Sequence, residues 1–159
     1  SPLKIQRDIQ LELEYNLMLF KLGEGRDSSI IQEKHIKKID NKKENRSFAK
    51  MIQLAQKMKE ALLVGQVKSF ADLLHESWIL KQEINNNVAN KFVRDCYDTA
   101  LDLGALGGKL LGAGESGYLL IYSSPLHQKK IKTALEKKGA AQELFKFCNN
   151  GLEVWSTRK

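Results

Sequence analysis

Six of the chain's eleven glycines fall within nineteen residues, GALGGKLLGAGESGYLLIY, from Gly104 to Tyr122. No other stretch narrows the possible folds so far. Lacking a Cβ, a segment such as Gly112-Ala113-Gly114 can adopt positive φ and let a ligand or another backbone approach its N–H groups. Gly117 then runs directly into Tyr118-Leu119-Leu120-Ile121-Tyr122, which is apolar and β-favouring. The stretch reads as strand, tight loop and strand, pressed against something anionic or against another part of a larger enzyme.

Glycine motifs of other kinds do not fit it. Gly112 to Gly117 satisfies the GxGxxG pattern, but a dinucleotide fingerprint needs a helix next, to hold the pyrophosphate, and a strand follows here. A protein-kinase glycine loop does lie between strands, yet the chain has neither HRD nor DFG. Gly108-Lys109 is like the end of a Walker A loop, but Leu103 stands at its first glycine and Leu110 replaces the magnesium-binding Ser or Thr. A plain tight hairpin remains as the simple alternative.

The rest of the chain surrounds this stretch with helices. Leu11, Leu13, Tyr15, Leu17 and Leu19 alternate with Glu12, Glu14 and Asn16, the period of a strand with one buried face; Met18 and Phe20 make its far end apolar on both faces. A turn from Gly23 to Ser29 leads into a helix toward Ile39. A loop of this kind, ahead of a helix N-terminus, can receive an anion; Ser28 or Asp27 acting only as an N-cap explains the same residues. Asp40 to Arg46 reads as a lysine-rich connection. Phe48, Met51, Ile52, Ala55, Met58, Ala61 and Leu62 then keep helical spacing up to Gly65, as a core stripe. Ser69 to Asp72 has the form of a capping box opening the next helix, in which His75 reads as a satisfied histidine and Trp78 as a packing residue. Asn87 can cap a further helix with an apolar face of Ala89, Phe92, Val93, Cys96, Ala100 and Leu103, closed by Gly104. After the glycine stretch, Ser124-Pro125 opens a last helix whose Leu126, Ile131, Ala134 and Leu135 face inward and which Gly139 ends. Gln142 to Cys148 and Leu152 to Trp155 flank Asn149-Asn150-Gly151, a hairpin signal. Strand, helices, two strands, helix, two strands is the order of an α+β domain with a mostly antiparallel sheet covered by helices on one face.

Composition bounds the function. At 159 residues, 42% of them hydrophobic and 28% charged, the chain is one domain's worth and long enough to bury a core. Its net charge of +7 favours anionic partners. The excess is mostly lysine on helices, without the arginines and stacking rings of a nucleic-acid reader, so the expectation is a solvated face and no nucleic-acid partner. Cys96 and Cys148 have no metal or redox spacing and read as buried small hydrophobes of a reducing compartment. No apolar run is long enough for a membrane span, and a cytoplasmic location is the default expectation. The opening Ser1-Pro2-Leu3, without a start methionine, is expected of a piece of a longer chain.

Lys109-Leu110-Leu111-Gly112-Ala113-Gly114, ahead of a small-residue pair and a strand, resembles the third motif of the GHMP small-molecule kinases. His75-Glu76-Ser77-Trp78 with Leu80-Lys81, followed by Gly104 to Lys109, is similar to the D-glycero-D-manno-heptose 7-phosphate kinases among them. Glu115-Ser116-Gly117 departs from the family, which continues in glycine. The resemblance implies a two-layer ferredoxin-like domain over residues 1–159, with extra helices, forming the C-terminal half of an enzyme whose N-terminal ATP-binding half is absent here. It implies phosphoryl transfer from ATP, with magnesium, to a hydroxyl of a heptose phosphate or related sugar. The partners are then that N-terminal half and the sugar phosphate, with no catalytic residue and no metal ligand in this chain, which is expected to be inactive alone. Gly23, Arg26, Ser28 and Ser29 match the family's substrate-side stretch. Lys109, Gly112, Ala113, Gly114 and Gly117 match its phosphate-side glycine loop, although a solvated Lys109 is an open alternative. The function of another class compatible with the charge is a non-catalytic basic module docking an acidic protein or RNA.

Overall fold

The computed structural model describes residues 3–23, 41–84, 88–112, 117–148, 151 and 154, with backbone alone for 41–45. In chain order these form α1 (Arg7–Asn16), β1 (Leu17–Leu22), α2 (Asn41–Leu63), α3 (Val67–Ile84), α4 (Lys91–Asp102), β2 (Ala105–Leu111), β3 (Gly117–Ser123), α5 (Pro125–Lys137) and β4 (Ala140–Glu143). The sheet order is β2-β3-β1-β4, and every neighbouring pair is antiparallel. That is the ferredoxin-like β-α-β-β-α-β arrangement with additional helices in the first crossover. The α+β expectation holds.

The sheet buries both faces. Met18, Phe20 and Leu22 of β1 and Leu119 and Ile121 of β3 meet Val93, Cys96 and Ala100 of α4 and Ile131 and Leu135 of α5. On the opposite face Leu17 and Tyr122 pack with Leu13 of α1, Leu62 of α2, and Val67 and Ala71 of α3. The fully apolar end expected of the first strand follows from this double cover, as does the buried Trp78, 1% exposed.

The first strand itself starts later than its alternation predicts. Residues 7–16 are helical, and the strand begins at Leu17. Two periods coexist in this segment. Ile5, Ile9 and Leu13 repeat every four residues and pack into the second cluster, while Leu11 and Tyr15, which made the alternation, are 47% and 68% exposed. The helix ends where Asn16 Nδ2 donates to the Glu12 carbonyl at 2.9 Å and Leu17 N–H to the Leu13 carbonyl.

Other boundaries move for local reasons. The lysine-rich connection is helical from Asn41, since lysine and glutamate are good helix formers. This helix buries Leu54, Ala61 and Leu62, whereas Phe48 and Ile52 of the expected stripe are exposed. It stops at Gly65 (φ +74°), where Gly65 N–H donates to Leu62 and Gln66 N–H to Ala61, a Schellman pair. Because Gln66 O accepts from Phe70 N–H, α3 begins two residues before the Ser69 capping box. Asn90, not Asn87, caps α4, its side chain accepting from Val93 N–H at 2.9 Å; Asn87 lies outside the described residues. Pro125 opens α5 as expected, but Leu126 is 88% exposed. Of the expected terminal hairpin, Gln142 and Glu143 belong to β4, which pairs with β1, and 144–148 are irregular; Asn149, Asn150, Leu152, Glu153 and Trp155 lie outside the described residues. Cys148 is exposed and Cys96 buried. The helix expected near Ser28 lies outside the described residues.

Candidate functional site

The glycine stretch folds as expected into the β2–β3 hairpin, with Lys109 opposite Leu120 and Leu111 opposite Tyr118. Its glycines serve three ends. Gly104 (φ +97°) closes α4, and a Cβ there would strike the His127 ring, whose Nδ1 lies 3.0 Å from the Leu103 carbonyl. Gly107 and Gly108 are buried strand residues. A Cβ on Gly107 would run into the Ala71 carbonyl oxygen and come within 3.0 Å of His75 N, so α3 lies directly on this strand. Gly112 (φ +106°) and Gly117 (φ +146°) form the shoulders of the hairpin, where an L side chain is strained. Part of the glycine density therefore admits a helix of the same chain rather than a ligand.

The outer edge of β2 is closed by side chains. Tyr97, 2% exposed, places its hydroxyl 2.7 Å from His75 Nδ1, and the Gly108 backbone hydrogen-bonds the same hydroxyl. Gly108 N–H donates, so the Tyr97 O–H is left to donate to His75 Nδ1, and His75 in its neutral form carries its proton on Nε2. The two rings lie parallel with centroids 6.0 Å apart, and Trp78 packs at a tilt on Tyr97. Burial, then the Asp98 charge, push the Tyr97 phenol above its ordinary value, against the Gly108 bond, which lowers it. On its other side His75 lines a groove of about 520 Å³ between α2 and α3, shared with Lys50, Lys57, Glu76 and Glu83.

Of the residues expected at the site, the structure places Gly23 (φ +67°) just after β1 and Lys109, Gly112 and Gly117 on the hairpin. Arg26, Ser28, Ser29, Ala113 and Gly114 lie outside the described residues. Lys109 is half-buried. Sequence reasoning assigned no role to Tyr97 or Lys81; Tyr97 sits on the apolar face of α4 without the alternating spacing that singles out a polar partner. Among the described residues no group of three or more His, Cys, Asp or Glu is placed to hold a metal ion, and no helix is long and apolar enough to cross a membrane.

The family described as GHMP kinases C terminal matches residues 58–141, more than half of the chain and the whole of the hairpin with its covering helices. The chain is a GHMP kinase C-terminal domain. A D-glycero-alpha-D-manno-heptose 7-phosphate kinase of Campylobacter jejuni is 31% identical over 155 residues, 98% of this chain. The GHMP domain described here spans 46% of that relative's length. A solved structure of a candidate sugar kinase from Campylobacter jejuni superposes with a TM-score of 0.67 at 29% identity, covering 98% of this chain and 43% of the other. L. major mevalonate kinase, solved with R-mevalonate, shares the fold at 19% identity with a TM-score of 0.69, over 87% of this chain and 41% of its own.

Proposed function

We propose that this GHMP domain is the substrate-side half of a sugar kinase that transfers the γ-phosphoryl group of ATP to a hydroxyl of a heptose phosphate. The observation that carries the reading is the likeness to the Campylobacter jejuni heptose phosphate kinase across nearly the whole chain, hairpin included. ATP and magnesium supply the transferable group and neutralise its charge; the protein's part in such a transfer is positioning and electrostatic support. The half-buried cation of Lys109 and the positive-φ shoulders Gly112 and Gly117 suit the phosphate side of that work. The glycine loop, with Ala113 and Gly114, supports the phosphate-side loop of an N-terminal half. Gly23, Arg26, Ser28 and Ser29 receive the anionic substrate. Since the positioning is divided between the halves, this chain alone does not turn over ATP. Family membership leaves the basic docking-module reading without support.

The substrate role is tested at Arg26 in the protein encoded by the full reading frame that carries this chain. Arg26→Ala is expected to raise KM for the phosphorylated sugar at least about tenfold, the loss of one charge-assisted contact, with KM for ATP nearly unchanged. Equal effects on both substrates would remove Arg26 from the sugar site.

A further inference from the structure

We propose that Lys81 and Lys109 together form a cradle for a phosphate group beside the β2–β3 hairpin. Helix α3 touches β2 at Gly107, where Ala71 and His75 meet the strand. From that contact Lys81 is reached after about 9 Å of helix and Lys109 after about 7 Å of strand. Lys81 follows Leu74 and Trp78 at helical spacing, both of them buried. Lys109 alternates with Gly107 and so lies on the side of the strand that α3 covers. Beyond that contact Trp78 packs on Tyr97, whose hydroxyl meets the Gly108 backbone, so α3 and β2 run on together toward the two lysines.

Neither lysine has a hydrogen-bond or ion-pair partner among the described residues. Both are half-buried. Glu76 and Glu83, acidic residues of the same helix, line the groove toward α2, and the ion pair Lys132–Glu136 lies on α5, 3.8 Å long and exposed. Burial and then the Lys109 charge lower the Lys81 pKa. A multiply charged anion between them removes that repulsion and gives each ammonium oxygen acceptors for its three donors. A phosphate group fits both requirements. The inference rests on the kinase reading and deepens it, because it adds Lys81, on a helix outside the glycine motif, as a residue that positions phosphate.

The test reads anion binding without turnover. Inorganic pyrophosphate is titrated into the 159-residue chain at constant ionic strength while the lysine side-chain carbon resonances are followed. The expected result is that Lys81 and Lys109 shift together and saturate while exposed lysines such as Lys132 do not. Lys81→Met and Lys109→Met should each weaken binding about tenfold, Lys81→Arg should retain it, and Lys132→Met should leave it unchanged. Uniform shifts of all lysines, or equal affinities of Lys81→Met and Lys132→Met, would overturn the cradle. If a methionine variant fails to fold, the residue-specific shifts in the unaltered chain decide. In the full reading-frame product, Lys81→Met should raise KM for whichever of ATP and the sugar phosphate supplies the cradled group. Turnover with both KM values unchanged would overturn the cradle and leave the kinase reading intact. Saturable pyrophosphate binding at these lysines in a protein without turnover would uphold the cradle and remove that reading.

Discussion

Along its β2 edge the sheet is sealed: α3 lies on Gly107, Tyr97 receives the outward Gly108 N–H, and His75 takes up the Tyr97 hydroxyl. Along its β4 edge a four-residue strand pairs with β1 and passes into irregular chain, where Leu144 is 94% exposed. Both edges belong to one antiparallel sheet; the first is held by polar contacts from α3 and α4, whereas after the second Phe145 packs partly buried against the core. The proposed phosphate cradle gains from the first, because preorganised charge depends on side chains carried by rigid elements. The β4 edge carries no such demand and can tolerate change.

The two edges are expected to differ most at Gly107. Gly107→Val puts a branched side chain into the backbone of α3, and the expected loss is about 3 kcal/mol or more. Ala141→Val, at an exposed position of β4, should stay within about 0.5 kcal/mol. Urea denaturation of both variants checks this, and equal losses would mean that α3 does not depend on the bare strand.

Tyr97→Phe is expected to cost about 1–2 kcal/mol, because the Gly108 N–H and His75 Nδ1 both lose their partner. The same variant sharpens the pH behaviour. Native Tyr97 keeps its proton above the phenol's ordinary value of about 10, at which the unfolded chain begins to release its own. The unfolded state then binds fewer protons, so stability that is complete below pH of about 10 is lost as pH rises beyond it. Melting curves should therefore fall on the alkaline side for the unaltered protein and less steeply for Tyr97→Phe. Tyr122, raised by burial and then by the charges of Glu12 and Asp72, and Cys96, raised first by burial, contribute to what remains.

The α4 cap comes next in size. Asn90→Ala should cost about 1 kcal/mol, by loss of the bond to Val93 N–H. At the open edge Leu144→Ser should change stability by no more than about 0.5 kcal/mol. A large loss there would show that the irregular chain after β4 is held more firmly than its exposure indicates.

The hairpin, the apolar face of α4 and the proline start of α5 were legible in the residues because each rests on local chemistry: glycine at positive φ, a 3.6-residue period and proline at a first turn. The N-terminal segment was not, since Leu11, Leu13 and Tyr15 satisfy the strand period while Ile5, Ile9 and Leu13 satisfy the helical one, and only burial decides between them. Gly107 and Gly108 look in the sequence like part of a ligand loop; that Gly107 admits α3, while Gly108 lies bare against β3, is a tertiary fact with no local signal. Lys81 is hidden for the same reason. Nothing in a lysine after Leu80 shows that the charge of a second lysine, far along the chain, bears on it.

The most direct test of the account is ADP release by the protein of the full reading frame, given ATP, magnesium and a panel of sugar phosphates, beside the 159-residue chain under the same conditions. The account predicts turnover by the longer protein with a heptose phosphate and none by the chain alone. Absence of turnover by the folded longer protein with every sugar phosphate would contradict it.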